Sequence, residues 1–259
     1  MRAIEGAFAA MLVAAILGAS TYSSRSAPLD PPSCAVPENL LFGDNHLKRV
    51  SAAVGKERRL NVVVLGSGSS ALAGPDGATL AYPVRLEAAL NQRLSGIAVK
   101  VTSQAKGAQS ARDMRRILKS LLVDEKPDLV IWQTGTVDAM RRVAPDDFRT
   151  VLDSGVMTLQ SGGADVILMN MQYSPRTESM IAVGPYAETM RMVAQQHDTP
   201  LFDRFAIMRY WSDHGAFDFY APGKDNGLAR RVHDCIGRAL ASLVIDAGQL
   251  KAFEVKAGR

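Results

Sequence analysis

Three serines crowd into the turn Gly66-Ser67-Gly68-Ser69-Ser70-Ala71, directly after the apolar run Asn61–Leu65. Small residues at such a place let backbone N–H groups and a helix N-terminus face a negative or electron-rich ligand. The same hydroxyls could equally cap the helix that follows. Written out, the turn is also G-x-G-x-x-A, a dinucleotide fingerprint that needs an acidic residue at the end of the second strand to hold ribose hydroxyls. That end reads Thr102-Ser103-Gln104, which argues against a nucleotide. With four His and two distant Cys, and neither H-x-x-x-H nor C-x-x-C spacing, no metal site is expected.

Short β-branched runs alternate with longer patterns of i, i+3, i+4 apolar spacing and place this turn. Strands are predicted at Asn61–Leu65, Ile97–Thr102, Asp128–Gln133, Asp165–Met169 and, weakly, Pro200–Phe202. Helices are predicted at Tyr82–Leu94, Ala111–Leu122, Phe148–Leu159, Tyr186–Gln196 and about Gly227–Ile245, with a shorter one around His46–Val54. Nearly continuous apolar strands joined by helical crossovers imply a parallel sheet buried on both faces. The expected architecture is α/β: a three-layer α/β/α sandwich around a mainly parallel five-stranded sheet. Ligands of such sheets bind at the carboxyl ends of the strands, which is where the serine turn falls. Trp132 and Trp211 read as core residues. Met169-Asn170-Met171-Gln172-Tyr173 follows the fourth strand and lines the same edge, so Gln172 and Tyr173 are candidate binding residues.

The chain has 259 residues, 47% of them hydrophobic and 22% charged, which fits an ordinary globular protein and excludes disorder, collagen and coiled coil. A formal charge of +4, from charges interspersed along the chain, gives no nucleic-acid groove. The first residues differ from the rest: Arg2, a 13-residue apolar run from Ala7 to Ala19, then a small polar stretch ending Ser26-Ala27-Pro28. This pattern is that of a secretory signal over residues 1–27, the run being short for a spanning helix; an uncleaved N-terminal anchor is the alternative. Loss of Arg2, Glu5 and Arg25 would take the charge from +4 to +3, and no stable membrane insertion is expected after removal. Residues 28–59 are expected to form an N-terminal extension and residues 60–250 a single domain. Export would put Cys34 and Cys235 in an oxidising compartment, where they are expected to pair; two separate buried thiols are the alternative.

From about residue 60 to 245 the chain resembles the SGNH, or GDSL-type, hydrolase family. The resemblance rests on the strand ending in Gly66 with its serine turn, Tyr82-Pro83-x-Arg85-Leu86 opening a helix, the loop Ser103 to Asp113, and above all Lys126-Pro127-Asp128-Leu129-Val130-Ile131-Trp132-Gln133-Thr134-Gly135-Thr136-Val137-Asp138. It implies a flavodoxin-like fold and ester hydrolysis of small-molecule or carbohydrate substrates, including acylated sugars of the cell envelope, with no cofactor. In that family a serine attacks the acyl carbon, a histidine oriented by an aspartate takes its proton, and a glycine N–H and an asparagine hold the oxyanion.

This sequence departs from that pattern at each position. Ungapped, Gly68 stands in the nucleophile's place; Ser67, Ser69 or Ser70 could substitute if the turn shifts by a residue, with Ser69 favoured. Gly107, or Ala108 in the closer register, would offer the backbone N–H. Val137 stands where the asparagine should be, Asp138 is retained beside it, and Gln104 or Gln172 could reach across. Asp225-Asn226-Gly227-Leu228 occupies the last block without its histidine, leaving Asp225 as orienter and His233, or else His214, as base. Three readings follow: an exported ester hydrolase using Ser69 or Ser67 with His233, a non-catalytic binding module for an acylated sugar, or a different reaction at the same strand ends, including acyl transfer or nucleotide binding. A serine hydroxyl within about 3.2 Å of an imidazole nitrogen would favour the first.

Overall fold

The computed structural model describes residues 34–221 and 226–255. A short helix, α1 (Lys48–Ala52), runs into a π-helical turn (Ala53–Glu57) and then β1 (Arg59–Gly66). There follow α2 (Gly77–Leu80), α3 (Tyr82–Arg93), β2 (Ala98–Ala105), α4 (Ala111–Arg116), α5 (Leu118–Glu125), β3 (Leu129–Gln133), α6 (Thr136–Met140) and α7 (Pro145–Ser161). The chain continues through β4 (Asp165–Met169), α8 (Pro175–Met180), α9 (Gly184–Gln196), β5 (Leu201–Phe202), α10 (Arg204–Asp213) and α11 (Gly227–Ala247). The five strands are all parallel, in the order β2-β1-β3-β4-β5. This is the expected sandwich, and the order reverses between β2 and β3, so a crevice opens at the carboxyl ends of β1 and β3.

Strand alternation builds two cores from one sheet. Leu60, Val62, Val64, Leu129, Ile131, Ile167 and Met169 face α1, α3, α10 and α11. Val63, Leu65, Val130, Trp132, Val166 and Leu168 face α4, α5, α7 and α9. Trp132 and Trp211 are both wholly buried, one on each side, as their apolar settings predicted. The single helix expected over Ala111–Leu122 is two. At Ile117 the bonding tightens to i→i+3 (Ile117 N–H to Met114 O, 3.1 Å), and the backbone opens to φ −99°, ψ −1°.

The segment read as an extension packs as part of this domain from Cys34 onward. Leu47, Val50 and Val54 lie in the first core, the Leu47 N–H donates to Ala247 O at 2.9 Å, and the Val50 N–H donates to Asp165 Oδ2 at 2.9 Å. At the amino ends of the strands the fully buried Asp128 carboxylate receives Arg49 and Arg59, each at 2.6 Å, and the Asn61 N–H at 2.9 Å. Burial alone would make that charge costly; two guanidinium groups and a backbone donor compensate it. A disulfide joins Cys34 to Cys235 on α11, with Cα atoms 5.2 Å apart. Residues 1–27, the predicted signal, lie outside the described residues. No helix among the described residues is long and apolar enough to cross a membrane.

Candidate active site

Gly66 ends β1 and must be glycine, because a Cβ there would fall 2.1 Å from Ser70 Oγ. The chain can therefore fold back in one tight 3-10 turn, Gly68–Ser70, which brings three serines over the end of β3. Ser67 and Ser70 are buried and Ser69 is half-buried. The hydroxyls do not cap a helix. They converge on Gln133, the last residue of β3, whose Oε1 accepts from Ser67 N–H (3.0 Å), Ser67 Oγ (2.9 Å) and Ser70 Oγ (2.9 Å). Three donors on one oxygen fix which way the amide points. Its Nε2 is left without a partner among the described residues.

Hydroxyl hydrogens can then be assigned by counting. Ser70 donates to Gln133, so at its 2.9 Å contact with Tyr82 the phenol is the donor. Ser67 donates to Gln133 as well, so that among the described residues the Ser69 hydrogen alone of the three is uncommitted. Its nearest hydroxyl neighbour, Ser67 Oγ, lies at 3.4 Å, longer than a good O–H···O bond.

Behind the turn sits Arg204, the first residue of α10, 1% exposed. Its Nη1 donates to Ser69 O at 3.0 Å and approaches Ser69 Oγ at 3.4 Å, and its Nη2 reaches Gln172 Oε1 at 3.3 Å. Its Nε has no partner among the described residues, and the guanidinium stands over the Tyr82 ring, 5.7 Å from the centroid. Burial lowers its pKa to about 10, so the group stays charged at neutral pH. Asp203, the residue before it in the chain, is occupied elsewhere: it accepts from Asn170 Nδ2 at 2.7 Å and from the Ala206 N–H at 2.9 Å, and faces Arg191 at 3.7 Å. Among the described residues Arg204 has no carboxylate partner.

His233 is not brought to any of the serines. It lies on the buried face of α11, 4% exposed, and its Nδ1 accepts the Tyr82 N–H at 3.0 Å. A ring nitrogen that accepts a backbone N–H carries no proton, so the neutral Nε2–H tautomer is fixed. Burial first, and the Arg204 charge second, lower its pKa to about 3. It packs against the Tyr82 ring at 5.7 Å, and no hydrogen bond links it to Ser67, Ser69 or Ser70. His214 is further removed from this chemistry, stacked on Tyr210 at 3.9 Å with Nδ1 on the Tyr210 carbonyl. Asp225 lies outside the described residues.

The remaining predicted residues divide between the crevice and its supports. Gly68 and Gly107 meet across it: a Cβ on Gly68 would lie 3.6 Å from Gly107 Cα, so both backbones border the same opening. Ala108 adopts a left-handed φ of +58°, held by Arg141 Nη2 on its carbonyl at 2.8 Å. Asp138 does not face the crevice. It is 2% exposed and accepts the Ala111 N–H at 3.0 and 3.2 Å, pinning the start of α4 and hence the loop Lys106–Ser110; burial raises its carboxyl above the ordinary range. Val137 offers no donor, Gln104 is turned to Glu125 at 3.2 Å, and Tyr173 is core. Gln172 touches the site only through Arg204. The residues that sequence reasoning missed are Gln133 and Arg204. The available signal was a polar residue ending an otherwise apolar strand and a cation directly after β5. Among the described residues no group of His, Cys, Asp or Glu could hold a metal ion.

Residues 33–250 match the model of the Non-GDSL lipase-like family. No curated protein matches the chain in sequence. Among solved structures it is similar to TesA, at 21% identity over 70% of this chain and 99% of that one, with a TM-score of 0.54. A catalytic variant of Axe2, an acetylxylan esterase from Geobacillus stearothermophilus, superposes with a TM-score of 0.56 at 16% identity, covering 71% and 94% of the two chains. A lipase/acylhydrolase from Enterococcus faecalis gives 0.53 at 18% identity, covering 77% and 100%. At these identities the likenesses establish the fold.

Proposed function

Because the chain belongs to the Non-GDSL lipase-like family, we propose that it is an exported protein of ester-hydrolase descent that holds an acylated small molecule or carbohydrate at its strand ends. In this reading Ser69 is the hydroxyl offered to the acyl group, bordered by the backbones of Gly68 and Gly107. The observation that carries it is the setting of His233, whose Nδ1 is spent on the Tyr82 N–H and whose ring stays neutral. Among the described residues none of the three serines is hydrogen-bonded to a general base, and a serine without one attacks slowly. Loss of one triad member leaves about 10³–10⁴ of rate over water, from the oxyanion site and binding alone. Binding is therefore retained while turnover falls to that residual level. One structural neighbour is an acetylxylan esterase, which supports an acetylated carbohydrate as ligand. The apolar run at Ala7–Ala19 and the Cys34–Cys235 disulfide support export.

One observation favours hydrolysis instead: Ser69 is half-buried and stands 3.4 Å from a guanidinium, where a hydroxyl is easier to ionise. That reading has Ser69, or Ser67, attacking the acyl carbon with His233 and Asp225 as base and orienter. The two are separated by 4-nitrophenyl acetate hydrolysis, run on the mature protein and its Ser67→Ala, Ser69→Ala and His233→Ala variants, alongside calorimetric titration with acetylated xylo-oligosaccharide. The expected result is saturable binding of the acetylated sugar, weakened in Ser69→Ala, with turnover that none of the variants abolishes. Turnover lost in both a serine variant and His233→Ala would replace the binding reading with the hydrolytic one.

A further inference from the structure

A cation as deeply buried as Arg204 is costly unless something compensates its charge. Its two described partners on that side, the Ser69 carbonyl at 3.0 Å and the Gln172 amide oxygen at 3.3 Å, are neutral dipoles. The titratable groups packed against it are neutral as well: burial pushes the Tyr82 phenol up to about 12, and His233 is held down at about 3. One positive charge therefore stands behind the serine turn with no anion beside it among the described residues. Of the three serines, Ser69 is the one a ligand can meet. Its Oγ lies on the Arg204 side at 3.4 Å, its hydrogen is the uncommitted one, and it is the least buried of the three serines.

We infer that the ligand of this site carries a single negative charge, a carboxylate in the case of an acylated sugar, which the Ser69 hydroxyl receives and the Arg204 charge stabilises from behind. This rests on the proposed binding at the strand ends and narrows it to acidic ligands. A carboxylate oxygen at ordinary hydrogen-bond distance from Ser69 Oγ would stand about 6 Å from the guanidinium, close enough for the charges to matter through low-dielectric surroundings. A neutral ester accepts the same hydrogen bond but gains nothing from the charge. Arg204 acts through Ser69 and is a positioning residue.

The test uses two probes alike except for charge, O-acetylglucuronate and its methyl ester, titrated calorimetrically into the mature protein at low salt. The acid should bind about tenfold tighter or better, with the preference shrinking as salt rises. Arg204→Lys should keep the preference and Arg204→Gln should lose it, through weaker binding of the acid alone. Should Arg204→Gln fail to fold, the salt series on the unmodified protein serves, since a preference for the acid that does not shrink with added salt would overturn the inference, and Ser69→Ala should weaken acid and ester alike. Equal binding of acid and ester by the unmodified protein would overturn the inference while leaving the proposed function standing. Binding of neither probe nor the acetylated xylo-oligosaccharide would overturn both.

Discussion

Protonating His233 should cost the fold several kcal/mol, and the cost should appear as a pH dependence of stability. Folded, its pKa is about 3; unfolded, it returns to 6.5. Above pH 6.5 neither state binds the proton and the residue has no pH effect. Below it the unfolded chain takes up a proton that the folded one refuses, so stability falls as the pH is lowered toward 3. At 1.36 kcal/mol for each tenfold change, the loss is about 3 kcal/mol at pH 4.5 and about 4 kcal/mol near pH 3. For a domain of this size about 3 kcal/mol corresponds to roughly 6–12 °C in Tm. The clean perturbation is His233→Gln, whose amide oxygen can still accept the Tyr82 N–H but does not titrate. Thermal melts of both proteins between pH 7 and 4.5 should show the difference between them narrowing by about that amount as the pH falls. Long-range ¹H–¹⁵N spectra should show His233 as an Nε2–H tautomer that does not titrate between pH 5 and 8. A midpoint near 6.5 in those spectra, or identical pH slopes, would refute the reasoning and return His233 to contention as a base.

Other substitutions test the supports of the same crevice. Reducing the Cys34–Cys235 bond releases a loop spanning 201 positions, and the chain-entropy relation gives about 5 kcal/mol. Melts with and without reductant should differ by more than about 10 °C, and a shift below about 3 °C would count against that account. Gln133→Leu strands three buried donors from Ser67 and Ser70 and should cost about 3 kcal/mol or more in urea unfolding. Gly155→Ala on α7 drives a methyl to 2.4 Å from the Trp132 ring. It should lower stability by about 1–2 kcal/mol despite alanine's better helix propensity, and a rise in Tm would show that the ring gives way easily.

The layout of the sheet was legible because doubly buried parallel strands leave an unbroken apolar signature; β4, Asp165–Met169, falls where that run predicts. β2 runs on to Ala105, beyond the predicted Thr102, because its polar end is paired by backbone with Val64–Gly66, which side-chain pattern does not record. Helices with a long apolar stripe were readable, whereas the five-residue α6 and six-residue α8 have too few turns to show one. The serine turn could be found, but not how its hydroxyls point. That is decided by Gln133, 66 positions from Ser67, and by Arg204, 135 positions from Ser69. His233 sits on the apolar stripe of α11, where periodicity makes it a packing residue, and the aromatic neighbour that fixes its tautomer comes from α3.

The disulfide also sets a schedule for the newborn chain. Cys34 is made first, and its partner follows 201 residues later on α11. At about 5–20 residues per second of synthesis, that is a wait on the order of 10–40 s. During it Cys34 remains a thiol that any other cysteine could capture. The correct bond can close only after all five strands have been made, so the oxidised chain is by construction one whose synthesis has passed the sheet.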